Sequence, residues 1–219
     1  MTINDRNRFA FSYTAHDVRD KNFIYKNFNK AVSYHSNFSQ SKFNATSLVG
    51  AKFKFCSFYG ATFDNCLIRG ALFRKCNFQQ AVFKNCIISS SVFDRTTLKN
   101  CKFIDCKVVS TGKFCELTLD ENLVNTKVYS NFPLESAFEP ALIQAVEQLR
   151  NHNQIRKSTV LHRKKGKLDT VSIEVLQEEF GDEFLIKYLP VVAEQIKVEF
   201  HTLTYVQSAL RKIGASAKV

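Results

Sequence analysis

Large apolar side chains recur at every fifth position through the first half of the chain. Stepping by five from Phe23 reaches Phe28, Ser33, Phe38, Phe43, Leu48, Phe53 and onward to Phe103 and Val108, and only Ser33 is not apolar. Stepping backwards adds Val18 and Tyr13. Two residues before each large side chain stands a small one; from Ala31 to Cys106 this series holds only Ala, Ser, Thr and Cys. The other three positions are mostly polar. A helix drifts out of phase with a spacing of five, and a strand alternates at two. A chain that turns about 90° every five residues fits both series, because each side of a square then points one large and one small residue inward. Four sides make a coil of about twenty residues, and coils stack at the inter-strand spacing of ~4.8 Å.

The runs Ala51-Lys-Phe53-Lys-Phe, Ala61-Thr-Phe63-Asp-Asn and Ala71-Leu-Phe73-Arg-Lys, each preceded by Gly50, Gly60 or Gly70, resemble the pentapeptide-repeat family. Its motif is A(D/N)LXX, with Leu or Phe at the centre. The resemblance spans about residues 11–110. It implies a mainly β fold, a right-handed quadrilateral β-helix of about five coils. After Val108 the next centres would be Lys113 and Thr118, which do not suit an axis. One irregular coil is expected there, using Phe114, Leu117, Leu119, Leu123 and Val128, and a bulge or loop is expected at Ser33.

Beyond about residue 132 the period becomes helical, which sets domains of 1–131 and 132–219. Ser136-Ala-Phe-Glu139 reads as a capping box, with Pro140 in the first turn. Phe138, Ala141, Leu142, Ala145 and Leu149 mark one face. Asn151 to Lys167, with Arg163, Lys164, Lys165 and Lys167, reads as a polar, basic loop, with a basic patch as the alternative use. A helix is expected from Ser172, and Asp182 reads as the N-cap of the next. Leu189, Val192, Ile196, Leu203, Val206, Leu210 and Ile213 then form a heptad-like stripe, broken only by Glu199. Two uses stay open for this α-helical region: capping the β-helix, whose last coil leaves strand edges unpaired, or forming a homodimer.

The net charge of +11 points to anionic partners. Sorting outward residues by side places Lys52, Lys54, Arg74, Lys75 and Arg95 on one wall, with Asp94 as its sole acid and Phe55 and Tyr34 nearby. Arg69 and Lys107 fall on another side. Such a wall is either a solvated face or an anion-binding stripe; stacked like charges repel, and phosphates would relieve the repulsion. The expected partner is therefore nucleic acid, or a protein complex that handles it. The family resemblance implies another partner. Several pentapeptide-repeat proteins, the quinolone-resistance type included, bind DNA gyrase or topoisomerase IV by imitating duplex DNA with an acidic rod. A basic wall has the wrong sign for that mimicry, so protection of a topoisomerase from a drug or toxin is the second expectation. An adaptor at an anionic membrane surface is the third.

Six of the seven cysteines occupy the small inward position, where Cys fills a wall niche as a small hydrophobe. Their spacings, mostly ten, are set by the repeat and not by the short pairs of a zinc site. Cys115 stands outside the frame and is the expected reactive thiol. The five histidines are scattered, and no nucleophile, phosphate-loop or metalloprotease motif occurs. The expectation is a non-enzymatic protein with no catalytic residue, metal or cofactor. A polar start and the lack of any apolar stretch of membrane length point to a reducing, cytoplasmic setting.

Overall fold

The computed structural model describes residues 10–112, 114 and 120–216. The chain divides into two compact units, Met1–Asn131 and Phe132–Val219.

The first unit is a β-helix with four walls. One wall is a six-stranded parallel sheet running from Asn22–Ile24 to Leu123–Val124. A second joins Val32–Tyr34, Lys52–Lys54, Leu72–Arg74 and Val92–Asp94, and a third runs from Leu67–Arg69 to Lys127–Tyr129. The fourth is held by single bridges, Asp17 to Asn37 to Ser57 to Asn77 to Thr97. Each residue pairs with the one twenty positions on, as in Phe53 with Phe73 and Phe73 with Phe93. One coil is therefore four pentads, as the period predicts.

Every fifth residue from Ala15 to Ser110 has a positive φ, from +46° at Ala45 to +67° at Gly50. This left-handed residue turns the corner and starts the next wall. The central side chains converge on the axis, where Phe38, Phe53, Phe58, Phe63, Phe73, Phe78 and Phe83 are fully buried. Rings one coil apart stack in columns. Phe63 lies parallel to Phe43 at 4.6 Å and to Phe83 at 4.7 Å, the separation the sheet dictates. Phe11 stacks on Phe28 at one end of the axis, and Phe114 packs edge-on to Phe103 at the other.

The small inward residues do more than save space. Their hydroxyls and thiols donate to the carbonyl of the central residue twenty-three positions back, on the preceding wall of the coil before. Ser41 Oγ reaches Val18 O at 2.7 Å, Thr96 Oγ1 reaches Phe73 O at 2.9 Å, and Cys101 Sγ reaches Phe78 O at 2.8 Å. Cys66, Cys76, Cys86 and Cys106 follow the same rule. Ser33 is no bulge: it is buried in register with Phe53, and its hydroxyl accepts from Tyr13 N. Leu123 packs against the core as expected, whereas Val128 is exposed. Leu117, Leu119 and Cys115 lie outside the described residues.

The second unit contains α1 (Pro140–Asn151), α2 (Asn153–Ser158), α3 (Thr170–Phe180), α4 (Asp182–Gln195) and α5 (Leu203–Ser216). Four expectations change here. No capping box forms: Ser136 lies in a short 3-10 turn, and Glu139 precedes Pro140 at the start of α1 without capping it. The polar stretch 151–167 holds a helix, because Ile155, Val160 and Leu161 are buried apolar anchors within it. The residue before α4 is Gly181, and Asp182 is already helical. The heptad-like stripe is not one helix. It breaks between Gln195 and Leu203, where Phe200 and Thr202 enter the core, and the two halves pack on each other. Leu189, Val192, Ile196, Leu203, Val206 and Leu210 are thereby buried within the chain, and Ile213 is half-buried. These side chains are taken up by packing within the second unit.

Candidate functional site

The pentad frame decides which side chains share the second wall. Within each pentad, the residue after the central one points outward at the strand end, and the next turns the corner. Residues one coil apart therefore form two adjacent columns. The strand-end column is Tyr34, Lys54, Arg74, Asp94, and the corner column is His35, Phe55, Lys75, Arg95. A groove of about 470 Å³ runs over these columns, lined by Tyr34, Lys54, Phe55, Arg74, Lys75, Asp94 and Arg95. Lys54, Phe55, Arg74, Lys75 and Arg95, singled out from the sequence, meet there together with Tyr34. Lys52 does not line the groove; it sits on the opposite margin of the wall, in a column with Val32, Leu72 and Val92.

Within the groove, four cations face a single carboxylate. Arg74 Nε donates to Asp94 Oδ2 at 2.6 Å, and Arg95 Nε stands 4.0 Å from Asp94 Oδ1. Both pairs are solvent-exposed, so each contributes no more than about 1 kcal/mol. Lys54 and Lys75 stack with the two arginines at one-coil intervals, and this clustering costs free energy that an anion would offset.

At one end the groove is aromatic. His35 and Phe55 are parallel, with centroids 4.8 Å apart and 3° between planes. Tyr34 stands across both, at 4.2 Å and 83° from His35 and at 5.4 Å and 79° from Phe55. Lys75 Nζ lies 5.1 Å from the centroid of Phe55. Phe55 and Tyr34 are expected near this wall from the sequence, whereas His35 is not. The signal was present, since His35 is twenty residues before Phe55 and so shares its column.

The other candidates resolve differently. Arg69 and Lys107 are 9 % and 7 % exposed, so they do not add to an outward charge. Arg163 is held inside the second unit, with its guanidinium 3.9 Å from the Phe132 ring and its Nε donating to Leu168 O. Lys164, Lys165 and Lys167 remain exposed. The six described cysteines are buried, free thiols. Burial pushes the Cys101 thiol up to about 12 and the Cys86 thiol well above its usual value. No group of His, Cys, Asp and Glu among the described residues is placed to hold a metal ion. No helix among them is long and apolar enough to cross a membrane.

The family model for pentapeptide repeats matches residues 34–70 and 66–105, in eight copies, and the matched residues build the middle coils of the walls just described. This segment is a pentapeptide-repeat scaffold. The pentapeptide-repeat wall thus carries the whole candidate groove. No curated protein matches the chain. Among solved structures, HetL of the cyanobacterium Nostoc sp. strain PCC 7120 is 12 % identical, covers 52 % of this chain and gives a TM-score of 0.37. The chain spans only 54 % of HetL. Full-length QnrB1, a plasmid-mediated fluoroquinolone resistance protein, is 14 % identical over 53 % of this chain and 93 % of its own, with a TM-score of 0.30. A thylakoid-lumen protein of Arabidopsis thaliana, AT2G44920, is 15 % identical over 72 % of this chain and 90 % of its own, with a TM-score of 0.22. Likeness at this level is silent about partners, and the chemistry of the groove has to speak for itself.

Proposed function

We propose that this pentapeptide-repeat β-helix is a non-catalytic scaffold that binds nucleic acid along its basic wall. One observation supports the reading above the rest. Lys54, Arg74, Lys75 and Arg95 converge on one groove against the lone carboxylate of Asp94, with Lys52 on the wall's margin. The strands bring these cations together on one wall, where phosphates would neutralise them and release their counterions. The topoisomerase-binding alternative needs anions where this wall presents cations. The membrane alternative is tested in the same experiment by a vesicle arm.

The experiment is binding of labelled nucleic acid to the full chain across a salt series. Arg74 is partly neutralised by Asp94, which leaves four cations for phosphates. At about 0.7–0.9 counterions per phosphate contact, affinity falls with a log–log slope of about −2.8 to −3.6, roughly 50- to 150-fold between 50 and 200 mM salt. Replacing Lys52, Lys54, Arg74, Lys75 and Arg95 with Glu abolishes binding. Unchanged binding by that variant, or a preference for anionic vesicles over nucleic acid, refutes the proposal.

A further inference from the structure

The basic wall accounts for the cations but leaves the aromatic end of the groove without a role. Phe55 receives a neighbour from each adjoining coil, His35 from the one before and Lys75 from the one after. Tyr34 closes the cluster edge-on, yet Tyr34 and Phe55 remain 43 % and 37 % exposed. We propose that this cluster stacks unpaired bases, so that the ligand is single-stranded nucleic acid and not duplex. The inference rests on the nucleic-acid reading given above and narrows it.

In a duplex the base faces are already stacked on one another, and a protein meets only phosphates and groove edges. Ring faces on a rigid wall have no use there. A single strand exposes a face at every base, and a cationic groove with aromatic platforms is the combination that holds it without regard to sequence. The two columns supply both parts in order. Tyr34 and His35 stand at one end, Lys54 and Phe55 share the next coil, and Arg74, Lys75 and Arg95 follow within two further coils. In the free protein the Lys75 ammonium lies near the Phe55 ring. A base takes that ring face, and the flexible lysine swings to the neighbouring phosphate. Asp94, beside Arg74 and Arg95, repels phosphate and marks where the contact run ends.

Fluorescence anisotropy with the full chain tests this, using labelled oligo-dT, oligo-U and a duplex of about 20 nucleotides, longer than a usual single-strand site. Electrostatics alone favours the duplex, whose charge is denser. The stacking cluster reverses that order, and both single strands bind more tightly than the duplex. Replacing Tyr34 and Phe55 together with Leu lowers single-strand affinity roughly tenfold or more and leaves duplex affinity unchanged. Tyr34→Phe with Phe55→Tyr keeps the rings and keeps the affinity, which separates stacking from any loss of fold. A duplex that binds as tightly as the single strands, or a leucine variant with undiminished single-strand affinity, overturns the inference. If the five-fold charge reversal still abolishes binding in that case, the basic wall stands and only stacking falls. If no nucleic acid binds at all, both fall.

Discussion

Gly70 and Gly112 allow the corner geometry to be weighed almost in isolation. Gly70 turns a corner at φ +60°, whereas Gly112 lies outside the left-handed region. A Cβ added at either position meets nothing within 4 Å. Gly→Ala at both sites therefore makes no clash, and both substitutions remove about the same freedom from the unfolded chain, worth ~0.4–1 kcal/mol in favour of the fold. Only Gly70→Ala forces an L side chain into the left-handed region, at about 1–2 kcal/mol. The shared unfolded-state contribution cancels in the difference. Gly112→Ala is neutral to mildly stabilising, Gly70→Ala is destabilising, and the two are separated by about 1–2 kcal/mol, or about 5 °C in Tm. Thermal melts of the two variants, followed by far-UV circular dichroism beside the parent, measure this gap. Equal shifts would refute the claim that a left-handed residue turns the chain at each pentad.

Two further outcomes follow from the axis and its lining. Phe63→Ala removes a fully buried ring sandwiched between Phe43 and Phe83 and destabilises the protein by ~3–5 kcal/mol in urea unfolding, while Lys52→Ala on the outer face changes the unfolding free energy by under ~0.5 kcal/mol. The Cys101 thiol, raised by burial to about 12, stays protonated at pH 8, and with the other buried thiols it reacts with a disulfide reagent only after urea unfolding; fast reaction of all six in the native protein would contradict their inward placement.

The five-residue period made the β-helix legible, because a ring at every fifth position has only one way to be buried at once. It also sorted the walls, since residues twenty apart share a column; Lys54, Arg74, Lys75, Arg95 and Phe55 were found by that rule alone. The left-handed corners were harder to see. Residues such as Tyr25, Phe55 and Arg95 hold a conformation that Gly or Asn normally signals, and the surrounding ladder imposes it on them. The small inward residues were read by volume, which hid the hydrogen bonds from Ser41, Thr96 and Cys101 to the coil before. In the helical unit, local pattern misled where tertiary packing decided. Leu189 to Ile213 keeps its heptad phase through residues 196–202, yet burying Phe200 requires the chain to leave the helix there. Ile155, Val160 and Leu161 were masked by the charged residues around them. The Ser136–Glu139 signature failed because Phe138 stays extended and is itself buried.

The most direct test of the central claim is to locate bound nucleic acid on the chain. A single-stranded oligonucleotide carrying photoreactive uracil, irradiated with the chain and mapped by mass spectrometry, is expected to form adducts on Tyr34, His35 and Phe55. Adducts confined to Lys164, Lys165 and Lys167, or spread over the other three walls, would contradict it.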